Sequence, residues 1–130
     1  MTNDIISDLL TRIRNATNAR HTLVKVPSTK MTDRIVEILK EEGYIYEFWK
    51  DDSRTSLIIL LKYIGNHKKS VITTLKRISK PGKRVYLNSK NIMNNLEKFE
   101  LGILSTSQGV MTTSNAQKMK IGGEFLCKIS

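Results

Sequence analysis

The sequence predicts an α+β protein, and three observations carry that prediction. Apolar residues recur at helical spacing in two early segments and alternate with polar ones in several short segments. The longest apolar run, Leu57-Ile58-Ile59-Leu60-Leu61, is strand-sized. The charge is also segregated: residues 1–65 carry ten Lys and Arg against nine Asp and Glu, whereas residues 66–130 carry twelve against three. A chain of 130 residues is enough for one ordinary domain or two small ones sharing an interface. At that size roughly two-thirds of the unfolded surface can be buried without a disulfide or metal staple.

Asn3 or Thr2 can cap a first helix, whose N-terminal end Asp4 and Asp8 favour. Ile5, Ile6, Leu9, Leu10, Ile13 and Ala16 share its apolar face, while Arg12, Arg14 and Asn15 point elsewhere. Cations near a helix C-terminus complement its dipole, so Arg12 and Arg14 read equally as structural or as RNA contacts. Leu23-Val24-Lys25-Val26 alternates as a strand and stops at Pro27. Ser28 or Thr29 caps a second helix that runs to about Glu42 and ends at Gly43. Tyr44 to Trp49 reads as a strand, Asp51-Asp52-Ser53 as a turn, and Thr55 to Ile64 as the returning strand. This helix–strand–helix–strand–strand order is buried most simply as a sheet with two helices on one face. Tyr44, Tyr46, Phe48 and Trp49 can form a base-stacking platform. An acidic turn beside them and the lack of excess positive charge favour core and hairpin packing instead.

Gly65 to Lys69 breaks the pattern and reads as a linker. Ser70 to Ser79 fits a strand or an irregular segment. Lys80-Pro81-Gly82-Lys83 is a turn, with Pro and Gly placed for a type II form. Arg84 to Leu87 reads as a strand, Asn91 to Leu96 as a short helix or loop, and Leu101 to Thr106 as a strand. Thr112 caps a short helix to about Lys120, Gly122-Gly123 ends it, and Glu124 to Ile129 is the last strand. The second half is therefore a small β-sheet with short helices.

The basic half points to a polyanion. From His67 to Lys90 there are eight basic residues and no acidic one, so Lys68, Lys69, Lys76, Arg77, Lys80, Lys83 and Arg84 would attract phosphate. A nucleic acid fits better than a membrane surface, because no basic amphipathic helix with aromatic anchors is present. Cys127 is the only cysteine, and with His21 and His67 it makes no metal-ligand spacing. The N-terminus has neither secretory nor transit-peptide character, so a soluble intracellular chain is expected. No glycine-rich phosphate loop appears, and Ser105-Thr106-Ser107-Gln108-Gly109 lacks the first glycine of a nucleophile elbow. No enzymatic activity, metal, cofactor, small-molecule substrate or membrane partner is expected.

The hydroxyl run Ser105-Thr106-Ser107, followed by Gly109, bears no charge. It suits hydrogen bonding to phosphate, ribose or base edges, and it equally suits helix capping and turns. Neutral readout of this kind favours RNA, whose 2′-OH is both donor and acceptor, over duplex DNA.

Several motifs in order resemble the bacterial-type S-eight family of small-subunit ribosomal proteins. They are Leu10-Thr11-Arg12-Ile13-Arg14-Asn15-Ala16, Val26-Pro27-Ser28, Leu39 to Ile45, Arg77 to Gly82, Leu104 to Thr112 and Gly122 to Cys127. The resemblance spans nearly the whole chain. It implies two domains, which the linker and the charge split divide into residues 1–65 and 66–130, with the second as the main RNA-binding half. The partners implied are the central domain of small-subunit ribosomal RNA and neighbouring small-subunit proteins. By the same resemblance Ser105, Thr106, Ser107, Gly109 and Tyr86 would sit at the RNA. Thr11, Arg14, Asn15, Ser28 and Lys30 would make a second contact. Gln108 stands where the family often has Arg or Lys, Lys80 where it has Arg, and Lys128 where it has an aromatic residue. The same surface would serve a translational regulator that binds messenger RNA by mimicry. Fifteen Lys against seven Arg, with abundant Ile and Asn, resembles a plastid-encoded chain or one from a low-GC bacterium.

Overall fold

Short elements dominate the computed structural model, which describes residues 4–96 and 99–130. The described residues form two compact units, Ile5–Thr73 and, with Asp4, Thr74–Ser130. The capping residues expected at Asn3 and Thr2 lie outside the described residues.

In the first unit α1 (Ile5–Asn18), β1 (Leu23–Pro27), α2 (Lys30–Glu41), β2 (Ile45–Lys50) and β3 (Ser56–Leu61) follow one another. The sheet has the antiparallel order β1-β3-β2. Helix α1 buries Ile6, Leu9, Leu10, Ile13 and Ala16. Ile5, at the margin of that stripe and in the first turn, stays 41% exposed. Thr29 is the N-cap of α2, its hydroxyl accepting from Thr32 N at 3.1 Å. The neighbouring Ser28 hydroxyl donates to Asp33 Oδ1 at 2.8 Å. Leu57, Ile59 and Leu61 are buried on one face of β3, while Ile58 and Leu60 on the other are half-buried.

The first half differs from expectation at three places. The aromatic strand is not packed as a set, since Tyr46 is 55% and Trp49 42% exposed. A register shift between Ile45 and Glu47 leaves Tyr46 without a partner on β3, so simple alternation fails there. The returning strand ends at Leu61. Tyr63–Ile64 (β4) instead pairs with Lys69–Ser70 (β5) as a separate hairpin. The segment expected as a linker is therefore that hairpin's turn, with Gly65 at φ +78 and Lys68 at φ +49.

The second unit contains β6 (Leu75–Arg77), β7 (Tyr86–Leu87), a 3₁₀ turn (Met93–Asn95), β8 (Leu101–Thr106), β9 (Gly109–Thr112), α3 (Thr113–Lys118) and β10 (Gly123–Ile129). Its sheet has the order β6-β10-β8-β9, and β7 shares with β6 one edge of β10. Ile92, Leu104, Met111, Ala116 and Phe125 form its core, with Ile78, Val85, Leu87, Leu96 and Ile121 packed around them. Thr112 caps α3 by accepting from Asn115 N at 3.1 Å. Around Lys80–Lys83 each of those two residues donates its N–H to the other's carbonyl. Gly82 is not among the positive-φ glycines, so the turn is not type II.

All three helices end in the same way. The paired bonds Arg20 N→Thr17 O with His21 N→Ala16 O, Gly43 N→Lys40 O with Tyr44 N→Leu39 O, and Lys120 N→Gln117 O with Ile121 N→Ala116 O are Schellman caps. The left-handed residue is glycine only at Gly43; Arg20 and Lys120 hold φ +58. Lys120 thus ends α3 before Gly122-Gly123 is reached. Those glycines serve a different purpose: a Cβ on Gly122 would lie 2.3 Å from Leu87 O, and one on Gly123 2.3 Å from Ser105 O. They let β10 approach β7 and β8 closely.

Candidate nucleic-acid interface

The hydroxyl run straddles a strand end and a turn. Ser105 and Thr106 close β8, Ser107 and Gln108 form the tip, and Gly109 opens β9 at φ +109. Thr106 pairs across the turn with Gly109. Its hydroxyl donates to Gly109 O at 2.8 Å and accepts from Gln108 N at 3.1 Å, so it braces the turn. The three hydroxyls therefore do not converge equally. Ser107 is exposed and Ser105 half-buried.

Sheet register brings Tyr86 to the same surface. Glu124 on β10 is the cross-strand partner of both Ser105 on β8 and Tyr86 on β7, and Ser105 is in turn opposite Val110 on β9. Cross-strand partners share a face, so Tyr86 and Ser105 emerge on one side of the sheet about 10 Å apart, two strand spacings. Tyr86 is 69% exposed, an aromatic ring with no packing reason to be there. Such a ring can stack on a base, and the adjacent hydroxyls can meet ribose or phosphate oxygens.

Between them lies a carboxylate, which would repel phosphate if left bare. Arg84 Nη1 sits 2.9 Å from Glu124 Oε2, and the fully buried Ser79 hydroxyl donates to the same oxygen. Val85 N donates back to Ser79 Oγ at 3.2 Å. Burial alone would push the Glu124 pKa up, but the Ser79 hydrogen bond and Arg84 outweigh it and hold it below the ordinary 4.5. A carboxylate whose folded pKa is depressed stabilises the fold above the unfolded value and loses that contribution as pH falls through the folded value. The melting temperature is therefore expected to drop below about pH 4.5, and Glu124→Gln should flatten that acid limb. An identical acid limb in the variant would show that Glu124 carries none of it.

The predicted cations divide into two kinds. Lys76, Lys80 and Lys83 are exposed and have no ion pair among the described residues. Arg77 is not available: its side chain is 10% exposed, reaches both Asp4 carboxylate oxygens at 3.3 Å, and donates to Leu126 O at 2.6 Å. Arg84 is spent on Glu124. Lys76 is opposite Lys128 and so lies in the row of Gly102, on the face away from Ser105 and Tyr86. Lys128, unusual by resemblance, is matched by Glu100 at 3.3 Å.

In the first unit Thr11, Arg14 and Asn15 are exposed at helical i, i+3, i+4 spacing, which places them on one face of α1. Lys30 is exposed at the start of α2, whereas the Ser28 hydroxyl is committed to Asp33. Arg12 is a structural residue, paired with Asp8 at 2.9 Å and donating to Lys25 O. Sequence reasoning passed over Lys118 and Lys120, exposed at the end of α3, for which their charge was the only signal. It also missed the Ser79–Glu124–Arg84 network, in which Glu124 lies 45 residues from Ser79 and 40 from Arg84. Burial pushes the Cys127 thiol up to about 12, with Arg77 opposing, so it stays protonated and unreactive.

The sequence model of the family described as "Ribosomal protein S8" matches residues 4–130. The chain is 53% identical over 131 residues to the "Small ribosomal subunit protein uS8c" of Gracilaria tenuistipitata var. liui, covering 99% of each chain. It is 49% identical to the protein of the same name in Phaeodactylum tricornutum, also over 99% of each. It is 50% identical to the "Small ribosomal subunit protein uS8" of Trichodesmium erythraeum, over 98% of this chain and 97% of that one. The chain belongs to the ribosomal protein S8 family, whose members are structural proteins of the small ribosomal subunit and not enzymes.

Proposed function

We propose that this protein binds the central domain of small-subunit ribosomal RNA directly, through the unit Thr74–Ser130, and helps organise that RNA during assembly. The observation that carries the reading is the row Tyr86–Glu124–Ser105 with the Ser107 tip beside it. An exposed ring and two hydroxyls without partners among the described residues face out together, and the intervening acid is masked by Arg84. Ser105, Ser107 and Tyr86 set register, Thr106 and Gly109 shape the turn, and Lys80 and Lys83 attract phosphate. Arg77 and Arg84 act within the protein. Thr11, Arg14, Asn15 and Lys30 make a second contact from the first unit. The ribosome is that of a plastid, a reading supported by the uS8c relatives and by the Lys-, Ile- and Asn-rich usage.

Ser107→Ala is expected to weaken binding to a central-domain RNA fragment by about 1 kcal/mol, about fivefold, without changing its salt dependence. Lys83→Ala should instead lower the salt slope by roughly one unit. Filter binding across a salt titration reads both. An unchanged affinity for Ser107→Ala, with the fold intact, would remove the hairpin tip from the interface. In a plastid extract the protein should sediment stoichiometrically with small subunits, and a predominantly free pool bound to messenger RNA would favour a regulator.

A further inference from the structure

We propose that a cleft in the first unit, walled by Tyr46 and Tyr63, holds one unstacked base of single-stranded RNA while Arg20 and Lys68 take its flanking phosphates. The cleft lies where β1 and β2 begin and β3 ends, and measures about 290 Å³. That is at the small end of ligand sites, which run from roughly 300 Å³ for drug-sized molecules, and suits a single planar ring system. Arg20, Thr22, Tyr46, Leu60, Tyr63 and Lys68 line it, and among the described residues no Asp or Glu does.

Both rings are held in place. Tyr63 Oη donates to His21 O at 2.6 Å. Lys62 Nζ stands 5.4 Å from the centre of the Tyr46 ring and donates to Gly43 O at 3.3 Å. Tyr46 nevertheless remains 55% exposed, at the register shift that leaves it without a partner on β3. Leu60 supplies an apolar floor. The Arg20 and Lys68 side chains have no ion pair or hydrogen bond among the described residues, so their charge is available to an outside group. Both occupy left-handed backbone, at φ +58 and +49. The Arg20 position is a helix stop where glycine is the ordinary residue.

Aromatic walls, an apolar floor and an all-positive rim are what a nucleotide requires: the base stacks, and the phosphates meet guanidinium and ammonium. An apolar peptide segment would use the floor but leave the rim charges uncompensated. The inference rests on ribosomal RNA being the partner, and it adds a contact separate from the Ser107 hairpin.

The test uses the isotopically labelled full chain, titrated with hexauridylate and with a hexameric abasic ribose-phosphate of equal charge. Hexauridylate should shift the resonances of Thr22, Tyr46, Leu60 and Tyr63 and bind at least fivefold more tightly than the abasic oligomer. Tyr46→Ala should erase that difference, and Lys68→Gln should weaken both oligomers while retaining it. Ser107→Ala should leave these shifts unchanged, which keeps the outcome distinct from that of the hairpin experiment. Equal affinity for the two oligomers would reduce the cleft to a patch of charge and overturn the proposal. So would cleft residues that respond to hexaglutamate as strongly as to hexauridylate, which would indicate an acidic protein as the occupant.

Discussion

Gly123→Ala is expected to destabilise the unit Thr74–Ser130 by about 2–3 kcal/mol, the cost of forcing an extra methyl into a closed contact. The new Cβ would meet Ser105 O at 2.3 Å and Thr106 Cγ2 at 3.0 Å. One obstacle is backbone and the other is the methyl of the residue that braces the hairpin, so neither can swing away. Relief requires β10 and β8 to separate at the Glu124–Ser105 pair, which would also misplace the hydroxyl tip. Urea unfolding should show the loss as a lower midpoint with an unchanged slope, accompanied by weaker RNA binding. Gly82→Ala is the control, since a Cβ there meets nothing within 4 Å and the backbone needs no left-handed angle. A Gly123→Ala midpoint equal to that of Gly82→Ala would mean that the strands have slack at this point.

The second large effect is expected at Arg77. Arg77→Ala should cost about 1.5–3 kcal/mol, because it removes the charge-assisted hydrogen bonds to the Asp4 carboxylate, 21% exposed, and one to the Leu126 carbonyl, which keeps the Ile78 N–H. Its effect on the salt dependence of RNA binding should be small beside that of Lys83→Ala. Replacing both partners, as Arg77→Met with Asp4→Leu, should recover much of the loss, since the two charges are then removed together. Thermal unfolding of the three variants measures this. A stable Arg77→Ala protein with a reduced salt slope would return Arg77 to the phosphate contacts.

Arg77 and Lys83 illustrate what a linear sequence conveys. Both sit in one acid-free basic run and look alike there. Their fates differ because Arg77 lies on a strand opposite Cys127, facing a carboxylate 73 residues away, while Lys83 lies in a two-residue turn open to solvent. Tyr46 makes the same point in the other direction. Its alternation pattern assigned it to the packed set, and a register shift in β2 left it exposed. Strand content was overestimated from Arg84 to Leu87, while Ser70 to Ser79, which fits a strand or an irregular segment, is strand only at Ser70 and at Leu75–Arg77. Leu75–Arg77 and Tyr86–Leu87 pair on one edge of β10, and Ser70 pairs with Tyr63.

Whatever depends on near neighbours along the chain was legible in residue order. That covers the apolar stripes of α1 and α2, a cap at Ser28 or Thr29 and one at Thr112, the stop at Gly43, the β8 strand leading to Ser107, and the segregation of charge. These follow from spacings of two to four residues, where backbone geometry fixes which groups meet. Which hydroxyls and cations are free to act was settled by long-range packing. Thr106 was claimed by its turn, Ser28 by Asp33, Arg77 by Asp4 and Arg84 by Glu124. The reason is that a polar group removed from water must find a partner, and that partner is set by strand register rather than by sequence distance.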